Sequence, residues 1–234
     1  MDAGDAIGRR ADRMLSRERA LWARGIARVA GIDEAGRGPL AGPVVAAAVV
    51  MPREFFHPRV DDSKRIRAPL RAELAVIIHE EAVSVGIGIV DHEVIDRINI
   101  LNATFEAMHL AVKNLSVIPD FLLVDGNRYR GCDIPFATIV GGDACCFSIA
   151  AASIIAKVTR DRMMEEYDTL YPAYGFARHK GYATRAHRIA ILRHGICSIH
   201  RRSFTRKLVA ELLDDQSVDI REGSAGRDGR PGVP

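Results

Sequence analysis

Nothing in this chain of 234 residues is long and apolar enough to cross a bilayer. The longest apolar stretch, Pro39 to Met51, falls short of the roughly 20 residues that a spanning helix requires. The N-terminus mixes acids with arginines and has no apolar signal core. These two absences point away from membrane and export, and a cytoplasmic protein is expected. Cysteine is scarce. Cys132, Cys145, Cys146 and Cys197 show no CxxC spacing, and the adjacent Cys145 and Cys146 are poor partners for each other, which argues against a disulfide scaffold or a thiolate metal centre and for reduced packing thiols. No repeat and no second core is visible, so one main domain is the simplest organisation. Acid is missing altogether between Asp168 and Glu211, a span that holds Arg178, Lys180, Arg185, Arg188, Arg193, Arg201, Arg202, Arg206 and Lys207 together with His179, His187, His194 and His200. With a net charge of only +3, this distribution matters more than the total. Solvated helix faces are one account of it, and contact with a polyanion is the other.

Acid appears instead at the ends of short apolar runs. Val29 to Ile32 can be buried as a strand, and Asp33 and Glu34 follow it directly. On a regular strand the two would face opposite sides, so both can serve one site only if the backbone bends, which Gly36 allows. Phe121 to Val124 ends in Asp125 and Gly126, and Thr138 to Val140 leads through two glycines to Asp143. Three strand-like runs therefore end in Asp, and in an open α/β sheet strand ends converge on the crevice where ligands bind. Clustered carboxylates repel one another, and a divalent cation removes the problem. All-oxygen ligation with no nearby Cys or His favours Mg²⁺ or Mn²⁺ over Zn²⁺, in the manner of two-ion phosphoryl-transfer sites.

These segments, with Gly31 to Pro43, Asp62-Ser63-Lys64, Leu123 to Asn127, Gly141-Gly142-Asp143, Ala151 to Asp161, Tyr174 to Tyr182 and Arg201-Arg202-Ser203-Phe204, resemble type 2 ribonuclease H (bacterial ribonuclease HII) in the family's own order from about Ala30 to about Phe204. The resemblance implies a ribonuclease H-like mixed sheet flanked by helices, with a small helical C-terminal part. It implies hydrolysis of the RNA strand of RNA-DNA hybrids and nicking on the 5′ side of ribonucleotides embedded in duplex DNA, leaving 5′-phosphate and 3′-hydroxyl ends. Asp33, Glu34, Asp125 and Asp143 match the family's catalytic, metal-binding carboxylates, which would hold Mg²⁺ or Mn²⁺, two ions in the active complex. Gly36, Arg37 and Gly38 match its sensor of the ribonucleotide 2′ hydroxyl, a group only RNA offers. A tight turn required by the fold is the plain alternative and is compatible with that role. Tyr182 matches the tyrosine that packs on the following deoxyribose. Lys64 and Lys180 are candidate phosphate contacts by charge and by position beside these motifs. Lys157 and Asp161, four apart on a helix, read as a surface pair, and Arg160 is left unassigned with them.

The chain divides into an N-terminal helical appendage over 1–27, a catalytic domain over 28–213 that includes the helical C-terminal part, and a tail over 214–234. From Gly223 onward the tail is expected to be disordered. Arg9 to Arg24 reads as one charged helix. Strands are expected near 28–33, 43–51 and 84–90, with helices after Pro69, over Asn99 to Leu115 and over Phe147 to Tyr167. The partners implied are RNA-DNA hybrid and ribonucleotide-containing duplex, with a replication clamp as a candidate for the tail; a monomer without membrane contact is expected. A different metal nuclease, exonuclease or integrase-like, would have no reason to carry Gly36-Arg37-Gly38 or Tyr182. A non-catalytic nucleic-acid binding module would find four carboxylates a liability near phosphates.

Overall fold

The computed structural model describes residues 3–206. Two helices, α1 (Ala3–Met14) and α2 (Ser16–Trp22), precede an antiparallel meander of β1 (Val29–Ala35), β2 (Val44–Val50) and β3 (Ser84–Val90), with α3 (Ala68–Glu81) between the last two strands. Helix α4 (His92–Lys113) crosses over to β4 (Phe121–Asp125), and β5 (Phe136–Ile139) follows. Both run parallel to β1, so the sheet is mixed with the order β3-β2-β1-β4-β5. The long α5 (Phe147–Leu170), the short α6 (Phe176–His179), α7 (Arg185–His194) and a helical turn over 202–206 complete the described chain.

Strand β2 consists of valine and alanine alone and is buried along its whole length, as a central strand covered on both faces must be. Helices α3 and α5 cover one face, where Leu74, Ile78, Phe147 and Ile154 meet Ala47 and Val49. Helix α4 covers the other, where Ile95, Ala107, Met108 and Ala111 meet Ile32, Ala48 and Leu122. The start of α5 is seated directly on β1 at Gly31, where an added methyl group would lie 2.0 Å from the Ser148 carbonyl carbon. Helix α4 is kinked at Asn99, whose φ is +66°; the Asn99 side chain accepts from the N–H groups of Leu101 and Asn102 and so caps the second segment, which starts where the sequence pattern places it.

The N-terminal segment departs from two expectations. It is two helices rather than one, broken at Leu15, and it packs into the body of the molecule instead of standing apart. Met14 and Leu15 enter the core beneath α5, and Leu21 packs with Val29, Leu123 and Ile149. Glu18 is buried, and its Oε1 accepts from the Ser148 N–H (2.9 Å), the Ser148 hydroxyl (2.8 Å) and the Cys146 thiol (3.1 Å). A carboxylate from α2 thus caps the first turn of α5, where a helix presents unpaired N–H groups and partial positive charge. Apolar positions in a short, charged helix carry little periodic signal, which is why sequence alone set this segment aside. All four cysteines are free thiols. The tail expectations fall outside the described residues.

Candidate active site

The parallel pairing of β1 with β4 sets Ile32 beside Val124, so the next residues, Asp33 and Asp125, leave the sheet side by side. The strand continues regularly through Glu34 and Ala35, opposite Ala46 and Val45, and the bend comes one residue later at Gly36, with φ +97°. Asp143 does not end a strand: β5 stops at Ile139, and Asp143 lies in a 3₁₀ turn, Gly142–Ala144, entered through a left-handed Gly141. The turn is held by the Gly142 N–H, which donates to Asp125 Oδ1 at 2.7 Å, so the acid of one strand fixes the segment that carries the next.

The charges of these acids act on one another. Burial, then the charges of Glu34 and Asp125, push Asp33 well above the usual carboxylate range, against hydrogen bonds from the Glu34 N–H (2.7 Å) and Ser153. Burial also raises Glu34; the Arg37 guanidinium, 3.3 Å away, opposes it, and Asp125 adds to it. Asp143 is raised by burial, by Asp62 and by Asp125, against Lys64, whose Nζ lies 3.5 Å from its Oδ2. Lys64 itself is lowered by burial and raised more by Asp143, Asp62 and Asp33. Asp62 and Ser153 were not singled out from sequence. Asp62 stands in the quoted Asp62-Ser63-Lys64 motif, whereas nothing local marks a serine on the inner side of α5.

Among the described residues no three His, Cys, Asp or Glu side chains converge closely enough to enclose an ion. Asp125 and Asp33 each direct one oxygen to a backbone N–H, and Asp143 faces Lys64. The donor set is nevertheless all carboxylate, crowded and raised in proton affinity, and it fits a hard divalent cation held in an open site better than a closed cage.

Beyond β1 the chain turns through Gly36-Arg37-Gly38 and packs against the C-terminal part. Leu40 N–H donates to Gly181 O at 2.8 Å, and Gly42 N–H donates to Ile199 O at 2.9 Å. Tyr182 is 45 % exposed, and its ring edge would stand 3.7 Å from a methyl group placed on Gly38. The loop and the tyrosine are therefore neighbours, and Arg37 ties the loop to Glu34. Lys180 is placed differently: its ammonium pairs with Glu165 at 2.6 Å, in a groove of about 550 Å³ that also involves Arg71, Lys157 and Asp161 and includes none of the four acids. Lys157 pairs with Asp161 at 2.5 Å, as the spacing suggests, and Arg71 joins the pair at 3.2 Å, half-buried rather than on the surface.

Two arginines of the basic motifs face inward. Arg160 is 1 % exposed and Arg201 0 %, and both donate to main-chain carbonyls around the loop after β1. Arg160 reaches Pro43 O (2.9 Å), Lys180 O (3.0 Å) and Ala41 O (3.2 Å). Arg201 reaches Gly36 O (2.6 Å), Gly42 O (2.9 Å), Arg37 O and Pro43 O (3.1 Å each). Sequence offers no sign of this, since carbonyl acceptors belong to every residue. The remainder of the stretch divides likewise: Arg178, Arg185, Arg188 and Arg193 are exposed, whereas His179, His187 and His200 are buried.

A mixed sheet of this order, with acids gathered where parallel β1 and β4 end and helices on both faces, defines a nuclease of the ribonuclease H-like α/β class. The family model described as Ribonuclease HII matches residues 30–207. Ribonuclease HII of Chlorobium luteolum is 57% identical over 202 residues, covering 83% of this chain and 96% of that protein. Among solved structures, ribonuclease H2 from Pyrococcus horikoshii matches with a TM-score of 0.66 at 26% identity, over 80% of this chain and 99% of that one. Ribonuclease HII from Archaeoglobus fulgidus, solved in complex with PCNA, matches with a TM-score of 0.64 at 27% identity, over 80% and 99%. The chain belongs to the ribonuclease HII family and is a nuclease of the hydrolase class.

Proposed function

We propose that the chain is an endoribonuclease that cleaves the RNA strand of RNA-DNA hybrids and nicks duplex DNA on the 5′ side of embedded ribonucleotides, leaving 5′-phosphate and 3′-hydroxyl ends. The observation that carries this reading is the meeting of Asp33, Glu34, Asp125 and Asp143 beside the Gly36–Gly38 turn and the Tyr182 ring. The four acids would hold Mg²⁺ or Mn²⁺, as two ions, which when bound would lower the pKa of a water and stabilise the leaving 3′ oxygen. The chain's own residues do the rest. The Gly36–Gly38 turn brings bare main chain to the substrate, so that its N–H groups can meet a 2′ hydroxyl. Tyr182, exposed beside it, offers a flat apolar face to the next sugar. Lys64, with most of its side chain in solvent, can contact a phosphate while it screens Asp143. Lys180 is a weaker candidate, because the Glu165 pair must open first. The reading is of a monomer in the cytoplasm, its catalytic domain spanning 28–213; no helix among the described residues is long and apolar enough to cross a membrane. A replication clamp is carried over as a partner from the Archaeoglobus complex alone.

The test is cleavage of a labelled DNA duplex containing one ribonucleotide, beside an all-DNA duplex, with Mg²⁺, with Mn²⁺ and with chelator. A single metal-dependent nick 5′ to the ribonucleotide is expected. Cutting of both duplexes would sink the sensor and leave a general nuclease; binding without cutting would leave only a nucleic-acid binding module.

A further inference from the structure

Arg201 is wholly buried, yet no carboxylate lies within salt-bridge distance of its guanidinium among the described residues. Burying an uncompensated charge is costly, and the loss of solvation pulls the Arg201 pKa down to about 9 despite Asp96. The partners bearing that cost are carbonyl dipoles, and two of them belong to consecutive peptides of the substrate-facing turn: Gly36 O at 2.6 Å and Arg37 O at 3.1 Å. In a trans peptide the N–H points opposite to the C=O. The partner ends of these two units are the N–H groups of Arg37 and Gly38, which therefore point away from Arg201, and neither has a hydrogen-bond partner among the described residues. A full positive charge on the carbonyl end polarises each unit and strengthens its N–H as a donor.

We propose that Arg201 is a positioning and specificity-determining residue: it aligns and polarises the Gly36–Arg37 and Arg37–Gly38 peptides, so that their free N–H groups form a preorganised donor pair for the ribonucleotide hydroxyl. This rests on the sensor reading given above. Arg160 serves as an internal contrast. It is as deeply buried and its side chain packs against Gly36, but its donors go to Ala41, Pro43 and Lys180, beyond the turn, so it braces the loop against the C-terminal part without a hydrogen bond to either of the two carbonyls.

The experiment compares wild type, Arg201→Lys and Arg160→Lys in the full chain. It reads KM and kcat on a single-ribonucleotide duplex, the inhibition constant of an all-DNA duplex, and thermal stability. Lysine keeps the charge but cannot hold two carbonyls in a planar fork. Arg201→Lys is expected to raise KM for the ribonucleotide duplex about tenfold, the scale of a lost charge-assisted hydrogen bond, with the all-DNA inhibition constant within about twofold of wild type. Arg160→Lys is expected to lower stability and to shift both constants together or neither. Joint movement of both constants in Arg201→Lys, or no movement in a folded Arg201→Lys, would overturn the proposal. Should Arg201→Lys fail to fold, the wild-type amide signals of Arg37 and Gly38 decide. They must shift with the ribonucleotide duplex and not with all-DNA duplex, and equal shifts refute the donor pair. If wild type itself does not prefer the ribonucleotide duplex, the sensor reading fails; if it does and Arg201→Lys retains the preference, only the role of Arg201 fails.

Discussion

At the scale of single residues, Asp33 shows the tension most plainly: a carboxylate 3 % exposed, beside Glu34 and Asp125, is in surroundings that favour its protonated form. Asn at this position removes the charge and keeps the shape. Asp33→Asn is therefore expected to abolish cleavage while leaving the melting temperature, measured in chelator, equal to wild type or higher, because one unit of relieved pKa is worth about 1.4 kcal/mol. A variant that cleaves near normally would refute the assignment of Asp33, and one that unfolds would refute the repulsion. Tyr182 carries a second prediction. Its side chain is 45 % exposed and its main chain is fixed independently by the Tyr182 N–H to His179 O bond at 2.9 Å, so Tyr182→Ala should fold as wild type while its preference for duplex with a single ribonucleotide weakens. Unchanged selectivity would return the tyrosine to an ordinary surface aromatic. Asp33 and Asp125 were marked along the chain as candidates because each directly follows an apolar run, whereas Asp143 stands beyond two glycines and ends no strand. The inward orientation of Arg201 was not legible, because a basic residue without nearby acids looks the same whether it meets solvent or carbonyls.

At the scale of elements, α5 is the organiser, and both of its supports at the N-terminal end can be tested. Glu18 replaces the missing partners of its first turn, so Glu18→Ala should lower stability by about 1–2 kcal/mol in chemical denaturation, and Glu18→Gln, which retains an acceptor, by less. An unchanged midpoint for Glu18→Ala would show that water satisfies the turn equally well. Gly31 is the closer constraint: a methyl group 2.0 Å from the Ser148 carbonyl carbon meets main chain, which cannot step aside. Gly31→Ala should therefore cost several kcal/mol, beyond the range of ordinary overpacking, and a soluble, fully active variant would contradict the close seating of α5 on β1. The strands and long helices matched their hydrophobic runs to within a few residues, since burial on two faces leaves unbroken apolar stretches such as Val44–Val50. The break at Leu15 had no such signature, and neither had the helical segment ahead of Asn99, which lies outside the helix expected to start there.

At the scale of the whole molecule, the C-terminal part is tied together internally by a chain of neutral histidines. Tyr182 O can only accept, so His187 carries its proton on Nδ1, 2.9 Å away, and its Nε2 must accept from His200 Nε2 at 3.0 Å; His200 Nδ1 then accepts from the Cys197 N–H at 2.9 Å. Burial lowers both histidines to about 4, against about 6.5 in an unfolded chain. A depressed pKa means that the unfolded state takes up protons first as pH falls. Stability is thus complete above about 6.5 and declines from there toward 4, by up to about 1.4 kcal/mol per pH unit for each histidine. Melting temperatures between pH 7.5 and 4.5 should fall over that window, and His187→Asn should flatten the slope. A wild-type profile that is level down to pH 5 would contradict the buried neutral pair.

The class of fold was legible in the sequence, as were the candidate acids and the glycine turn that follows the first two, because apolar periodicity, glycine and carboxylate all act locally and leave their mark in order along the chain. Tertiary structure alone decided which of the basic residues turn inward, that Glu18 from the N-terminal helices completes α5, that Asp143 reaches its place through a 3₁₀ turn, and that the loop after β1 is held by carbonyl bonds to Arg160 and Arg201. Those facts depend on groups far apart in sequence and on main-chain atoms common to every residue, so their signal exists only once the chain has folded.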